Sequence, residues 1–367
     1  MAFSNIYSGK TVLVTGHTGF KGSWLCTWLI RLGAQVHGLS DCVFESPSMF
    51  EELSLRDRID HHEGDIRDRE LVLNTFKNIQ PDFVFHLAAQ SIVSLSYKDP
   101  FETYTTNVIG TLNVLEALRA VEKPCFAVLI TSDKCYHNSE WSWGYRETDR
   151  LGGKDPYSAS KACAELVIHS SFESFFKDSE TSPKLASTRA GNVIGGGDWK
   201  ADRIVPDAAR AWSENRAVTI RAPRATRPWQ HVLEPLSGYL CVGEALASGQ
   251  PFHGEAYNFG PNANQNKTVL DLLMELAKTW GPAESSPVNV EETQHFKEAG
   301  LLKLSCDKAL ADLDWIPVLD FEECARFTAS WYETFYGQDQ DIFQFTIEQL
   351  NQFESLAKER ALRWAQG

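Results

Sequence analysis

Thr11-Val12-Leu13-Val14-Thr15-Gly16-His17-Thr18-Gly19-Phe20-Lys21-Gly22 carries a short apolar run straight into three glycines spaced three apart. Val12 to Thr15 reads as a buried strand, and Gly22 to Leu32 as a helix gathering Trp24, Leu25, Trp28 and Leu29 on one face. The glycines between them have separate tasks: a tight turn, close approach of backbone to a pyrophosphate, and close packing of helix on sheet. The helix start adds unpaired amides and the positive end of its dipole, both suited to phosphate. The spacing is G-x-x-G-x-x-G rather than G-x-G-x-x-G, so the strand-loop-helix setting does more than the glycines to mark a nucleotide-binding loop.

Working outward, the same alternation repeats. Strands are expected at Gln35 to Leu39, Ile59 to Glu63, Phe83 to Leu87, Phe126 to Thr131 and Leu185 to Arg189. Helices are expected at Arg69 to Lys77, Thr103 to Arg119 and Tyr157 to Phe176. Strand and helix in turn give a parallel sheet covered on both faces, the doubly wound α/β arrangement of Rossmann type. After Asn192 the alternation breaks down, and Gly195-Gly196-Gly197 and Arg221 to Pro228 read as loops framing a site. Residues 1–194 are therefore expected to form the dinucleotide-binding domain. Residues 195–367 are expected to form mainly a smaller, mixed substrate-binding lobe, with some segments returning to the first domain. The tail from Asp341 to Trp364 spaces Phe345, Leu350, Phe353, Leu356 and Leu362 at helical intervals, as expected for packing on its own body.

Composition narrows the function. A formal charge of -14 repels nucleic acid and anionic membrane, while a phosphate-bearing small molecule needs only local amides and arginines. The apolar run begins directly after Met1 to Lys10, so no signal peptide is expected, and no window reaches the ~18 apolar residues of a membrane span. The eight cysteines form no C-x-x-C and no zinc-like pairing with histidine. His61-His62 is expected in a solvated loop, and no metal is expected anywhere. The reading is a reduced, cytoplasmic protein with neither nucleic-acid nor membrane partners.

Ser40 and Asp41 follow the second strand, where a hydroxyl or acidic group can meet an adenosine ribose. No Lys or Arg lies between Gln35 and Leu55 to balance a 2′-phosphate, so the cofactor expected is NAD. Asp65-Ile66, after the third strand, is placed to bracket adenine with one polar and one apolar contact. Further on, Asp155-Pro156 is a strong helix start, an N-cap followed by proline in the first turn. It puts Tyr157 and Lys161 four apart on one face. A phenol of ordinary pKa ~10 is a poor base at neutral pH, and a nearby ammonium favours its phenolate. Thr131-Ser132-Asp133-Lys134 ends the preceding strand, at the edge where such sheets collect their catalytic groups.

These residues carry a resemblance. The glycine loop, His86-Leu87-Ala88-Ala89-Gln90, Ser132 and the Tyr157/Lys161 pair resemble the extended short-chain dehydrogenases that act on sugar nucleotides. Thr131 to Tyr136, Trp143 to Glu147, Arg189 to Trp199 and Arg227-Pro228-Trp229-Gln230-His231-Val232 are similar to signatures of the 4,6-dehydratases within that family, those acting on CDP-glucose in particular. The resemblance covers the chain to about Asn258. It implies oxidation at sugar C4 with NAD, loss of water across C5–C6, and return of hydride to C6. Tyr157 with Lys161 would take the 4-hydroxyl proton, Ser132 would hold that hydroxyl, and Asp133 would be the acid for water loss.

Lys134 stands where the dTDP-glucose dehydratases carry glutamate. A lysine serves as base only with a lowered pKa, so the group that takes the C5 proton stays open. The resemblance puts Gly16, His17, Thr18, Gly19, Phe20, Lys21, Gly22, Leu87, Ala88, Ala89 and Asn107 beside the cofactor. It puts Gln90, Asn192, Trp199 and Asn258 beside the substrate, with Arg203, Arg221 and Arg227 as candidates for its diphosphate. His17 and Lys21 depart from the small or apolar residues usual in such loops. They would either crowd the cofactor or help hold its phosphates. A sugar-nucleotide 4-epimerase is the nearest rival, but it needs no acid and base beside Ser132. Val114, Leu115, Leu118, Ala162, Leu166 and Val167 are expected to pair two helices with a second copy, giving a homodimer or homotetramer.

Overall fold

Apolar strands alternating with amphipathic helices sort the first half of the chain into layers. The computed structural model describes residues 2–43, 46–178, 183–200, 203–262, 265–282, 286–291, 302–338 and 340–366. The main sheet uses β1 (Thr11–Thr15), β2 (Gln35–Ser40), β3 (Asp60–Glu63), β4 (Phe83–His86), β5 (Phe126–Ile130) and β6 (Lys184–Ala190). β7 (Val218–Ile220) and β8 (Thr226–Pro228) lie outside it, while β9 (Ala256–Phe259) returns to its edge. The order is β3-β2-β1-β4-β5-β6-β9, with every neighbouring pair parallel. The order reverses between β1 and β4, which opens the crevice where such sheets bind ligands.

Because successive strand residues face opposite sides, Val12 and Val14 enter one core and Leu13 the other. The helix α1 (Phe20–Arg31) covers the Val12 side. On the Leu13 side lie α2 (Arg69–Ile79), α3 (Gly110–Leu118) and α4 (Pro156–Ser171). α5 (Ile204–Ser213) and α6 (Leu233–Ala247) join the Val12 core, as do α7 (Val269–Thr279), α8 (Asp307–Leu313), α9 (Phe321–Gly337) and α10 (Ile342–Glu359). Two small ribbons complete the C-terminal part: β8 pairs antiparallel with β10 (Asn266–Thr268), and β7 pairs parallel with β11 (Val288–Val290).

Three local readings change. The helix expected over Thr103 to Arg119 is a short helix Pro100–Tyr104, a wider turn Thr105–Ile109, and then α3. Gly110 marks the joint: a Cβ there would stand 2.5 Å from the end of the Ile66 side chain, which would have to shift. β9 is a strand that the sequence pattern does not announce, and it carries chain from beyond Gly195 back into the main sheet. His61 and His62 lie in β3, within the strand expected over Ile59 to Glu63 and not in the solvated loop also expected for them. The C-terminal tail packs on its own body, with Phe353 against Trp28 at 5.6 Å and Trp364 stacked on Phe3 at 4.9 Å.

Candidate active site

The glycine loop sits at the strand-order reversal, and its geometry explains its composition. Gly16 has φ +74, and a Cβ on it would fall 2.6 Å from the Ala88 amide nitrogen, so the loop and the strand β4 exit cross backbone to backbone. A Cβ on Gly22 would fall 2.2 Å from the Gly16 carbonyl, which lets α1 press on the loop. Gly19 caps α1 with no side-chain hydrogen bond, leaving the first amides free for an anion, and the Phe20 ring lies by Gly195. This cradle fits a dinucleotide pyrophosphate.

The adenosine end follows from β2 and β3. Thr18 Oγ1 donates to the Cys42 carbonyl at 2.8 Å and is paired with Ser40 Oγ at 2.7 Å, bracing the turn that presents exposed Asp41. Arg67 lies near Asp41 but is taken up by Asp65, to which its Nε donates at 2.7 Å and its backbone amide at 2.8 Å. Asp65 is thus held below the usual carboxylate range by those bonds, against the opposing effect of burial. Ile66 is buried against Gly110, and its carbonyl accepts from Asn113.

Leu87, Ala88 and Ala89 are half-buried on the opposite lip. Asn107 fixes this lip: Nδ2 donates to the Gln90 carbonyl at 3.0 Å and to Ser160 Oγ at 2.8 Å, while Oδ1 accepts from the Gln90 amide at 2.8 Å. The loop after β4 is thereby tied to α4.

His17 corrects an expectation. Its ring is fully buried beneath the loop, where Gly38 makes room for it, and Nε2 and His61 Nδ1 lie 2.7 Å apart. Burial, with His61 nearby, brings its pKa down to about 3, so it is neutral. It neither crowds a cofactor with its side chain nor offers charge to phosphate. Lys21 does not serve helix packing either. It reaches the interior beside Asp133, Lys161 and Arg203, and burial brings its pKa down to about 8.

Around Lys21 the catalytic candidates assemble. Asp155 caps α4, accepting from the Ser158 amide at 2.9 Å, with Pro156 in the first turn. This start turns Tyr157 and Lys161 inward, where both are buried. Burial pushes the Tyr157 phenol up to about 12, while a hydrogen bond with Ser132 and the charge of Arg203 pull it down. Burial brings Lys161 down to about 8, opposed chiefly by Glu165 one turn further along the helix. Arg203 is thus a cation that lowers the phenol, and Glu165 is the main charge holding Lys161 up.

Ser132 Oγ donates to Asp133 Oδ1 at 2.9 Å, so one hydroxyl links the tyrosine to the carboxyl group. Burial raises the Asp133 pKa, opposed by Lys134, Ser132 and Lys21. The set brings together the Tyr157 phenol, a shared hydroxyl, and a carboxyl group beside two cations.

The substrate-side candidates divide. Arg203 is anchored to Asp198 at 2.7 Å and joins the cluster. Arg227 lies on β8, half-buried, and Asn192 is exposed just past the C-terminal end of β6. Arg221 is exposed just past β7, outside the catalytic cluster. Three others turn away. Trp199 is buried among Trp331, Tyr332 and Phe335, at ring distances of 4.9–6.2 Å. The Gln90 carboxamide is engaged with Thr103 and the Ile92 amide. Asn258 is fully buried, with Oδ1 accepting from Tyr136 and Nδ2 donating to the Tyr145 and Ser305 carbonyls. Each is better placed to hold the fold than to touch a ligand.

What the sequence reading missed lies behind the cluster. Glu165 accepts from Arg189 Nη2 at 2.7 Å, from Ser187 Oγ at 3.1 Å and from Thr131 Oγ1. Arg189 Nη1 continues to Tyr136 Oη and the Glu147 carbonyl. Glu165 stands four residues after Lys161, and that spacing was the available signal. No group of three metal-binding side chains occurs among the described residues.

A parallel sheet with a glycine loop at its order reversal and a Ser, Tyr and Lys beside that loop defines a dinucleotide-binding enzyme of the short-chain dehydrogenase type. Residues 13–328 match the model of a family described as GDP-mannose 4,6 dehydratase, and the chain belongs to that family. Among its relatives, a CDP-glucose 4,6-dehydratase of Salmonella typhimurium is 46% identical over 343 residues, covering 92% of this chain and 95% of that protein. A dTDP-glucose 4,6-dehydratase of Xanthomonas campestris is 27% identical, covering 88% and 93%. Of solved structures, a UDP-glucose 4-epimerase of Thermus thermophilus in complex with NAD superposes with a TM-score of 0.69 at 27% identity, covering 88% and 99%.

Proposed function

We propose that the chain is an NAD-dependent lyase that converts CDP-glucose to CDP-4-keto-6-deoxyglucose. The observation that carries this reading is the chain of contacts from Tyr157 through Ser132 to Asp133, with Lys134 and Lys21 alongside. An epimerase needs the first two groups and not the third. The Salmonella relative supports the nucleotide.

NAD, when bound, supplies a hydride acceptor that gives the hydride back at the end of the cycle. Gly16, Gly19 and the first amides of α1 would hold its phosphates, and Asp41 its adenosine ribose. Ser132 holds the sugar 4-hydroxyl and Tyr157 takes its proton as hydride leaves C4. The ketone formed acidifies C5–H. Asp133, whose pKa burial raises, is the group that gives a proton to the departing 6-hydroxyl. Lys134 is the candidate for the C5 proton. Arg203 and Arg227 would meet the diphosphate.

Mixing the protein and NAD with CDP-, dTDP- and UDP-glucose in turn tests the reading. CDP-glucose alone should give a 4-keto-6-deoxy product, detected by its near-ultraviolet absorbance in alkali. A C4 epimer without keto sugar would overturn it.

We further propose a cytoplasmic homodimer. All eight cysteines are free, and no helix among the described residues is long and apolar enough to cross a membrane. The pairing surface differs from the one expected: Val114, Leu115, Leu118 and Ala162 are buried in the protomer's own core. Of the expected residues Leu166 is exposed, by 56%, and it lies with exposed Phe101 (78%), Tyr104, Ile109 and Leu112. Light scattering at micromolar concentration should give about twice 41.2 kDa, and Leu166→Glu with Phe101→Glu should lower it. A monomer mass for the unaltered protein would exclude the pairing.

A further inference from the structure

Asp133 stands on the wall between two spaces. Its Oδ1 faces Ser132, from which it accepts at 2.9 Å, and its Oδ2 faces Gly191. Beyond Gly191 lies a cavity of about 420 Å³, whose lining includes Asp133, Gly191 and Gln230, and, toward solvent, the exposed side chains of Trp143 and Ile316. Ser132, Lys134 and Tyr157 do not line it. Glycine at 191 keeps the carboxyl oxygen uncovered, since a Cβ there would lie 3.3 Å from Asp133 Oδ2 and 4.0 Å from Gln230 Nε2.

Gln230 is the unexplained group. It is 2% exposed, its Oε1 is buried with no hydrogen-bond partner among the described residues, and its Nε2 reaches only the Phe259 carbonyl at 3.5 Å. A buried carboxamide oxygen is costly to leave unmet, and native proteins rarely do so without a function or a guest. Here a carboxyl oxygen and a carboxamide face the same small volume across a glycine. Two polar partners in a roomy, polar spot suit one water molecule or hydroxyl.

On the dehydration reading, one hydroxyl leaves C6 in every turnover and has to depart as water. We propose that Gln230 is a further residue of the reaction: together with Asp133 Oδ2 it receives the 6-hydroxyl as it becomes water, and the cavity behind them is the exit. The step balances. The C5–H and C6–O bonds break and a C5=C6 double bond forms. The C5 proton goes to the base, and the Asp133 proton goes to the departing hydroxide. Gln230 accepts a hydrogen bond from the nascent water and changes no protonation state. The Asp133 carboxylate regains a proton from solvent through the same opening.

Stopped-flow and product assays on Gln230→Leu test this, with NAD and CDP-glucose. Oxidation at C4, read as reduced nicotinamide absorbance, should proceed near the unaltered rate and the signal should accumulate. Formation of 4-keto-6-deoxy sugar should fall about tenfold to a hundredfold, the loss expected for one buried hydrogen-bond partner. Gly191→Ala, which narrows the space without touching the carboxamide, should shift the two phases the same way. Thermal midpoints of both variants guard against a folding defect. The proposal is overturned if oxidation and elimination fall together, or if product forms at the unaltered rate. If the unaltered protein neither oxidises nor dehydrates any of the three nucleotide sugars, the dehydratase reading itself fails, whatever Gln230 does.

Discussion

Asp133→Asn should oxidise CDP-glucose at close to the unaltered rate and then stall, with water loss slower by about 10²–10⁴. The geometry separates the two steps. An asparagine Oδ1 can still accept from Ser132, so the hydroxyl that serves Tyr157 keeps its position. What disappears is the acidic proton of a carboxyl group whose pKa burial raises. An amide has none to give. Reduced nicotinamide should therefore build up and decay slowly, while the alkali-absorbing product lags. Normal turnover by this variant would remove Asp133 from the mechanism.

How much of this was legible in the chain depends on whether the determinant is local. The glycine loop, the Asp155-Pro156 helix start and the four-residue spacing of Tyr157 and Lys161 act over one turn or less, and the structure has each where the spacing puts it. Five of the six strands read from the first half match because a largely buried parallel strand carries apolar residues, while the polar, largely exposed edge strand β3 lies where the alternation of strand and helix puts it.

What failed depends on contacts between distant segments. Trp199 and Asn258 carry the residue types that bind sugars and phosphates, but one fills an aromatic core and the other ties Tyr136 to Tyr145 and Ser305. Nothing in a helical period tells which of Val114 or Leu112 faces the protomer and which faces outward, because the helix is apolar over more than one face. His17 turned inward because Gly38, on the neighbouring strand, leaves space for its ring. Lys21 acts on Asp133 from the first turn of α1, more than a hundred residues away in sequence.

Glu165→Gln should lose about 3–5 kcal/mol of stability, since it strips the counter-charge from a buried arginine. Arg189 and Glu165 side chains are only 5% and 4% exposed, with Nη2 and Oε2 at 2.7 Å. The arginine also donates to Tyr136 and the Glu147 carbonyl, so the pair joins α4 to β6 and to the segment that follows Asp133. Chemical denaturation should report the loss as a lowered midpoint at an unchanged slope. A second variant that replaces both charges by apolar side chains should recover much of it, because no buried charge is then left alone.

Stability is only half of the expectation. Lys161 sits at about 8, with Glu165 the main influence holding it up against burial. If the oxidation step needs this lysine charged, activity is retained below that value and lost as pH rises through it. Removing the Glu165 charge lowers the lysine further, so the basic limb of the pH–rate profile should move toward lower pH. A purely structural role would reduce activity evenly across pH and leave that limb where it stands.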